Sequence, residues 1–174
     1  MATFFGGSAA RRAVGAAALA GLLMTGSSGV HAQALVVAVV VHPANAETQL
    51  SSAELCDTLR GERTRWADSS LIQVLVPPSD SPEWAVVVRA VCHASVAGFR
   101  RQVATSRPFG RASRPPVVAA TAAEMKTAVA ASPRAIGFLA APQVDGTLKA
   151  LSIDGKAPTD PAYPLQKPGK QESR

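Results

Sequence analysis

The stretch at residues 35–41 constrains the fold more than any other part of this 174-residue chain. It reads Leu-Val-Val-Ala-Val-Val-Val, an unbroken apolar run rich in β-branched residues. A short run of this kind is typical of a strand buried on both faces, whereas a strand with one wet face alternates polar and apolar residues. We therefore expect a sheet that is covered on both sides.

Three helix starts with capping patterns follow this strand. Residues 51–54 (Ser-Ser-Ala-Glu) have capping-box spacing, and Gly61 stands where a C-cap glycine belongs. Residues 81–83 (Ser-Pro-Glu) combine an N-cap serine, a proline at the first helical position and an acid in the first turn. Residues 121–124 (Thr-Ala-Ala-Glu) repeat the capping-box spacing. A shorter helix is expected to begin near Ser95.

Apolar runs between these helices predict further strands. They lie at residues 71–76, 117–118, 135–139 and 148–153, and Gly137 within one of them marks a close approach of the backbone to a neighbour. Strands that alternate with helices predict an α/β domain with a mixed, mainly parallel sheet flanked by helices. Ligands of such sheets bind beyond the carboxyl ends of the strands, which here are the loops at residues 42–45, 77–81 and 139–142.

The first 34 residues have the organisation of a secretory signal peptide. Arg11 and Arg12 precede an apolar run at residues 13–24, and small-residue cleavage patterns end at Ala32 and Ala34. The apolar run is shorter than the roughly 20 residues that a membrane-spanning helix needs. We therefore expect cleavage near Ala32 or Ala34 and a periplasmic or secreted protein, with the general and twin-arginine export routes both open.

Removal of residues 1–34 leaves 174 − 34 = 140 residues, enough for one domain. The removed segment holds two arginines and no acids, so the formal charge falls from +6 to +4. This modest positive balance favours anionic ligands, while scattered basic residues and few aromatics argue against nucleic-acid binding. We expect the domain at residues 35–156. A polar, proline-rich tail with little to bury is expected at residues 157–174.

Cys56 and Cys92 leave two alternatives open. In an oxidising compartment the pair is expected to form a disulfide, whereas two buried free thiols on two helices fit the sequence equally well. The absence of a Cys-x-x-Cys pattern or a Cys/His cluster argues against a metal site. His42 and His93 have no nucleophile at a spacing that implies a catalytic pair, so we expect no enzyme and no cofactor.

Six motifs give the chain its resemblance to a known family. In chain order they are residues 39–45 (Val-Val-Val-His-Pro-Ala-Asn), 50–55 with 61–66, 79–81 (Ser-Asp-Ser), 97–101, 109–111 with 115–116, and 132–138 (Ser-Pro-Arg-Ala-Ile-Gly-Phe). Together they resemble the phosphate-transport substrate-binding family, a branch of the type II periplasmic binding proteins. The resemblance is closest to short exported members, and it implies a single lobe of that fold.

The resemblance also implies a binding site and partners. It points to a small oxyanion such as phosphate, held near Ser79, Asp80, Ser81, Glu83 and Arg111. It further implies a membrane transporter or another envelope protein as partner, and a domain of one lobe could also pair with a second copy. A helix N-terminus at Ser81 suits an anion because its first backbone N–H groups are unpaired and the helix dipole is positive there.

One departure from the family keeps a second interpretation open. Where the family has Ser-Gly-Thr, this chain has Ser81-Pro82-Glu83, and a proline replaces the family's arginine at position 77 or 78. Pro82 has no N–H to donate, and Glu83 brings a negative charge. The alternative is therefore a non-catalytic interaction module of the cell envelope that has lost its ligand site.

Overall fold

The computed structural model describes residues 34–105 and 115–167 of the chain. The strands are β1 Leu35–Val41, β2 Gln49–Leu50, β3 Gln73–Val76, β4 Val117–Val118, β5 Ala135–Ala140, β6 Lys149–Ala150, β7 Ser152–Ile153 and β8 Gln166–Lys167. The helices are α1 Ser52–Arg60, α2 Pro82–Cys92, α3 Val96–Thr105 and α4 Ala122–Ala130, with a single 3₁₀ turn at Ala141–Gln143. The expected signal peptide and Arg111 lie outside the described residues.

The main sheet has the strand order β4-β3-β5-β1-β6, and β8 also pairs with β1. Strand β3 runs parallel to both β4 and β5, and β2 runs parallel to β7 in a separate small sheet. Every antiparallel pair of these named strands involves β1, which pairs with β5, β6 and β8. The prediction of an α/β domain with a mixed sheet flanked by helices is confirmed.

Strand β1 is the centre of the core, as its apolar sequence predicts. Each of its last five residues, Val37 to Val41, is 0 % exposed. Val37, Val39 and Val41 face the cluster built by α1, α2 and α3, whereas Ala38 and Val40 face the cluster built around α4. Because side chains alternate along a strand, a sheet covered on both faces needs apolar residues at every position of this strand.

The predicted capping residues are found in place. Ser51 Oγ accepts a hydrogen bond from Glu54 N–H at 3.2 Å, and Ser51 N–H donates to the Glu54 carboxylate at 2.9 Å. Gly61 ends α1 with a φ of 76°, in the left-handed region that favours glycine. The pattern at Thr121 is shifted by one residue, since the Glu124 carboxylate accepts from Ala120 N–H instead of Thr121 N–H.

The expectation that the segment after Ala157 has little to bury is wrong for its described part. Tyr163 is 1 % exposed and Leu165 is 0 % exposed. Leu165 accepts a hydrogen bond from Val37 N–H at 2.8 Å, and β8 continues the pairing along β1. The edge of β1 has backbone groups that must be paired, and this segment pairs with them. Tyr163 and Leu165 lie two positions apart, so both side chains reach the core.

Of the two alternatives for the cysteines, the structure has the disulfide. Cys56 on α1 and Cys92 at the end of α2 are bonded, with their Cα atoms 5.2 Å apart. Both are largely buried within the cluster beneath α1 and α2. The bond closes a segment of 36 residues that contains β3 and all of α2, and it ties α1 to α2 on one face of the sheet.

Candidate functional site

A cleft lies at the carboxyl ends of three neighbouring strands. Because β3 is parallel to β4 and to β5, the loops that follow these strands meet at one edge of the sheet. The cleft has a volume of about 240 Å³. Its walls are Pro77, Pro78, Ser81, Glu83, Ala119, Ala120, Thr121, Ala122, Met125, Phe138, Leu139, Ala140 and Gln143. Two of the three predicted loops, at residues 77–81 and 139–142, meet at this edge, which is where α/β sheets bind ligands. The prediction for the loop at residues 42–45 is wrong, because β1 runs antiparallel to β5 and carries that loop to the opposite end of the sheet.

Helix α2 presents its N-terminus to this cleft. Ser81 is the N-cap, and its Oγ accepts a hydrogen bond from Trp84 N–H at 3.1 Å. Pro82 has no N–H, and Ala85 N–H donates to the Ser81 carbonyl. Of the amides in this first turn, Glu83 N–H therefore remains for a ligand. The Glu83 side chain is half-buried and lines the same wall.

The N-terminus of α4 faces α2 across the cleft. Thr121 is its N-cap, with Oγ1 accepting from Glu124 N–H at 3.1 Å. The hydroxyls of Ser81 and Thr121 each accept from an amide, so their hydrogens can still donate outward. The sequence analysis identified Thr121 as a helix start and missed it as a site residue, because only the parallel pairing of β3 and β4 brings it opposite Ser81.

The third wall is the end of β5 and the turn behind it. Lys126 on α4 pairs with Asp145 at 2.7 Å, and Asp145 also accepts from Thr147 N–H at 3.0 Å. The Lys126 ammonium, followed by the Thr147 donors, holds the pKa of the Asp145 carboxyl well below its usual range. This pair joins α4 to the loop that follows Gln143.

Trp84 anchors the helix that Ser81 caps. It is 6 % exposed, and its ring meets Phe138 edge-on with centroids 6.2 Å apart. A second edge-on contact joins Trp84 to Phe99 on α3 at 5.8 Å. These contacts seat the first turn of α2 against β5, so the position of its N-terminus depends on apolar packing.

The other expected site residues lie elsewhere. Ser79 and Asp80 face the opposite side of the loop, where they line a second groove of about 540 Å³ with Phe99 and Arg100. Arg111 is outside the described residues. Ser81 and Glu83 are therefore the two expected site residues that the structure places in the cleft. Among the described residues, no group of three or more potential metal ligands is found.

Arg63 and Trp66, which the resembling motif contains, form a structural cluster away from the cleft. Arg63 pairs with Glu47 at 3.3 Å and with Glu54 at 3.6 Å, and its guanidinium lies 5.9 Å from the centre of the Trp66 ring. The Trp66 indole N–H donates to the Arg134 carbonyl at 3.0 Å.

In the part of the chain that the structure describes, no helix is long and apolar enough to cross a membrane.

Comparison with solved structures places this fold among phosphate-binding proteins. The chain is similar to an ABC-type phosphate transport receptor from Vibrio cholerae, with a TM-score of 0.63 and 23% identity over 78% of this chain and 55% of the receptor. A phosphate-bound substrate-binding protein from Clostridium perfringens gives a TM-score of 0.64 and 19% identity, over 80% of this chain and 56% of that one. PstS from Borrelia burgdorferi gives 0.60 and 14%, over 78% and 56%.

The chain thus spans about half the length of these structures. Identities of this size establish the fold, and the predicted resemblance to phosphate-transport substrate-binding proteins is confirmed at that level. No protein-family model matches the sequence, and no curated protein matches it significantly.

Proposed function

We propose that this chain is an exported solute-binding domain that holds a small oxyanion, with phosphate as the leading candidate, in the cleft between α2 and α4. One observation carries the proposal: the N-termini of two helices, capped by Ser81 and Thr121, meet in one cleft at the carboxyl edge of the sheet. Each N-terminus offers backbone donors and a positive dipole end, which together favour an anion. The likeness to the folds of phosphate-binding proteins supports the same function.

The donors of the cleft come from the backbone and from hydroxyls. Glu83 N–H on one side and the first amides of α4 on the other point toward the ligand, and the two cap hydroxyls add neutral donors. Neutral donors can hold an anion without a matching cation, because each hydrogen bond to a charged group is stronger than a neutral one. Pro77 and Pro78 form an apolar wall beside them.

The Glu83 carboxylate limits which anions can bind in the cleft. An ionised carboxylate only accepts hydrogen bonds, so it repels an anion that has no hydrogen to donate. Phosphate carries at least one hydroxyl near neutral pH, whereas sulfate carries none. We therefore expect Glu83 to accept from a phosphate hydroxyl and to exclude sulfate.

Export is part of the proposal. The signal-like pattern of residues 1–34 supports it, and so does the Cys56–Cys92 disulfide, since disulfides persist in oxidising compartments. In the periplasm the domain would deliver its anion to a membrane transporter or to another envelope protein.

Titration calorimetry of the purified chain with phosphate and with sulfate at matched ionic strength tests the proposal. Phosphate should bind and sulfate should not. Glu83→Gln should allow sulfate to bind, because an amide both donates and accepts. Glu62→Gln, which changes an exposed glutamate beyond the end of α1, serves as the matched control and should leave the selectivity unchanged. If neither Glu83→Gln nor Thr121→Ala alters phosphate binding, phosphate binds outside this cleft.

A specific observation favours a second function. Pro82 removes one donor from the first turn of α2, and Glu83 brings a carboxylate to the same place, as expected of an envelope interaction module that has lost its ligand site. In that case neither anion binds to the wild-type chain or to Glu83→Gln, and the temperature of unfolding is the same in phosphate, sulfate and chloride. A ligand at 100 times its dissociation constant would instead stabilise the fold by about 2.7 kcal/mol.

A further inference from the structure

A second concave surface lies where the C-terminal segment packs along α2. Strand β8 pairs with β1 beside the exposed side of this helix and leaves a groove of about 250 Å³. The helix contributes Pro82, Ala85, Val86, Arg89 and Ala90, and the C-terminal segment contributes Pro164, Gln166 and Lys167. None of these residues lines the cleft between α2 and α4.

The positions on α2 account for the groove. Residues 82, 85, 86 and 89 are separated by three, one and three positions, which places them on one side of a helix. The other side of α2 carries Trp84, Val87 and Val91 into the core. Tyr163 and Leu165 hold the opposite wall in place, since both are almost fully buried.

The groove combines an apolar floor with positive charge. Its floor is formed by small and apolar side chains, and its charged lining residues are Arg89 and Lys167. No aspartate or glutamate lines it. Within residues 34–105 and 115–167, neither cation has a carboxylate partner within salt-bridge distance. Unpaired cations beside an apolar floor suit a ligand with one anionic end and one apolar body.

We propose that this groove binds a small organic anion, a carboxylate with an apolar body. The carboxylate contacts Arg89 and Lys167, and the apolar body lies on Ala85, Val86 and Pro164. Burial of the body supplies the affinity, while the two cations orient the ligand and select for charge. The site is independent of the oxyanion cleft, so either proposal can fail without the other.

The experiment is a ¹H–¹⁵N NMR titration of the chain, expressed with its own N-terminal segment, with hexanoate and benzoate. Hexanamide and benzamide are the neutral counterparts of the same shape. The carboxylates should shift resonances along α2 from Ala85 to Ala90 and at residues 164–167, and the amides should bind at least about tenfold more weakly. Phosphate should leave these resonances in place.

Variants separate charge selection from packing. Arg89→Gln and Lys167→Gln should each weaken carboxylate binding about tenfold and leave the amides unaffected. Arg101→Gln, on the exposed side of α3, removes the same charge outside the groove and should change nothing. All three positions are exposed, and the spectrum without ligand reports whether each variant is folded. Equal binding of acid and amide, shifts confined to the cleft, or no binding of either carboxylate overturns the proposal.

Discussion

The side-chain amide of Asn45 donates a hydrogen bond to the carbonyl oxygen of Pro133 at 3.0 Å, across 88 residues of sequence. The same side chain accepts from Glu47 N–H at 2.9 Å, and Lys149 Nζ donates to the Asn45 carbonyl. Asn45 is 8 % exposed. It thus joins the loop after β1 to the loop before β5, at the end of the sheet opposite the cleft.

Replacing Asn45 with alanine should destabilise the fold by about 1–3 kcal/mol, because it removes two partly buried hydrogen bonds, each of which contributes about 0.5–1.5 kcal/mol. Urea unfolding followed by circular dichroism measures the change. Asn45→Asp keeps the acceptor for Glu47 N–H but turns an oxygen toward the Pro133 carbonyl, so its cost should be at least as large. Gln49→Ala alters an exposed side chain nearby and should cost little. If all three variants are as stable as the wild-type protein, the Asn45–Pro133 hydrogen bond contributes nothing to stability.

Gly137 allows α4 to lie close against β5. A Cβ atom built on Gly137 would lie 2.7 Å from Met125 Sδ and 2.7 Å from Val129 Cγ2. Gly137→Ala should therefore destabilise the fold by about 1–3 kcal/mol. Gly146→Ala is the matched control, since a Cβ there meets nothing within 4 Å. In a double-mutant cycle, Val129→Ala should recover part of the loss. A cost that neither Val129→Ala nor Met125→Ala reduces would rule out the steric explanation.

The Cys56–Cys92 disulfide should contribute about 3–4 kcal/mol to stability, on the chain-entropy model for a closed segment of 36 residues. Urea unfolding with and without a thiol reductant measures this contribution. The double variant Cys56→Ala/Cys92→Ala should have the stability of the reduced protein and should not respond to reductant. A wild-type protein that unfolds at the same urea concentration under both conditions would contradict the prediction.

The Tyr163 hydroxyl should lose its proton at an unusually high pH, and this ionisation should lower the stability of the fold. Burial raises the pKa of its hydroxyl to about 12, from the usual value of 10.0. The folded state therefore holds the proton more tightly than the unfolded state. The corresponding stability is complete below pH 10 and is lost as the pH rises through 12. Tyr163 is the single tyrosine of the chain, so tyrosinate absorbance reports on it alone. Tyr163→Phe should abolish this signal, and a transition near pH 10 in the folded protein would contradict the prediction.

Local signals in the sequence predicted most of the fold. The run at residues 35–41, the capping serines and Gly61 act within a few residues, so their consequences can be read without knowing the neighbours. The sequence did not predict features that depend on pairing between strands far apart along the chain. Thr121 reaches the cleft only through the pairing of β4 with β3, and Tyr163 and Leu165 are buried only because β1 has an edge to fill. Ser79 and Asp80 belong to the predicted loop but line the second groove instead of the cleft.

The pairing of β1 with β5 and β8 decides where the described fold begins and ends. Val37 lies opposite Ala140 and Leu35 lies opposite Lys167, so both ends leave the sheet at the edge that carries the cleft. An affinity tag or an immobilising surface attached at either end would therefore crowd the entrance of that cleft and the groove beside α2. The exposed turn at residues 43–44 follows β1 at the far end of the sheet, where a fluorescent label would leave both entrances open.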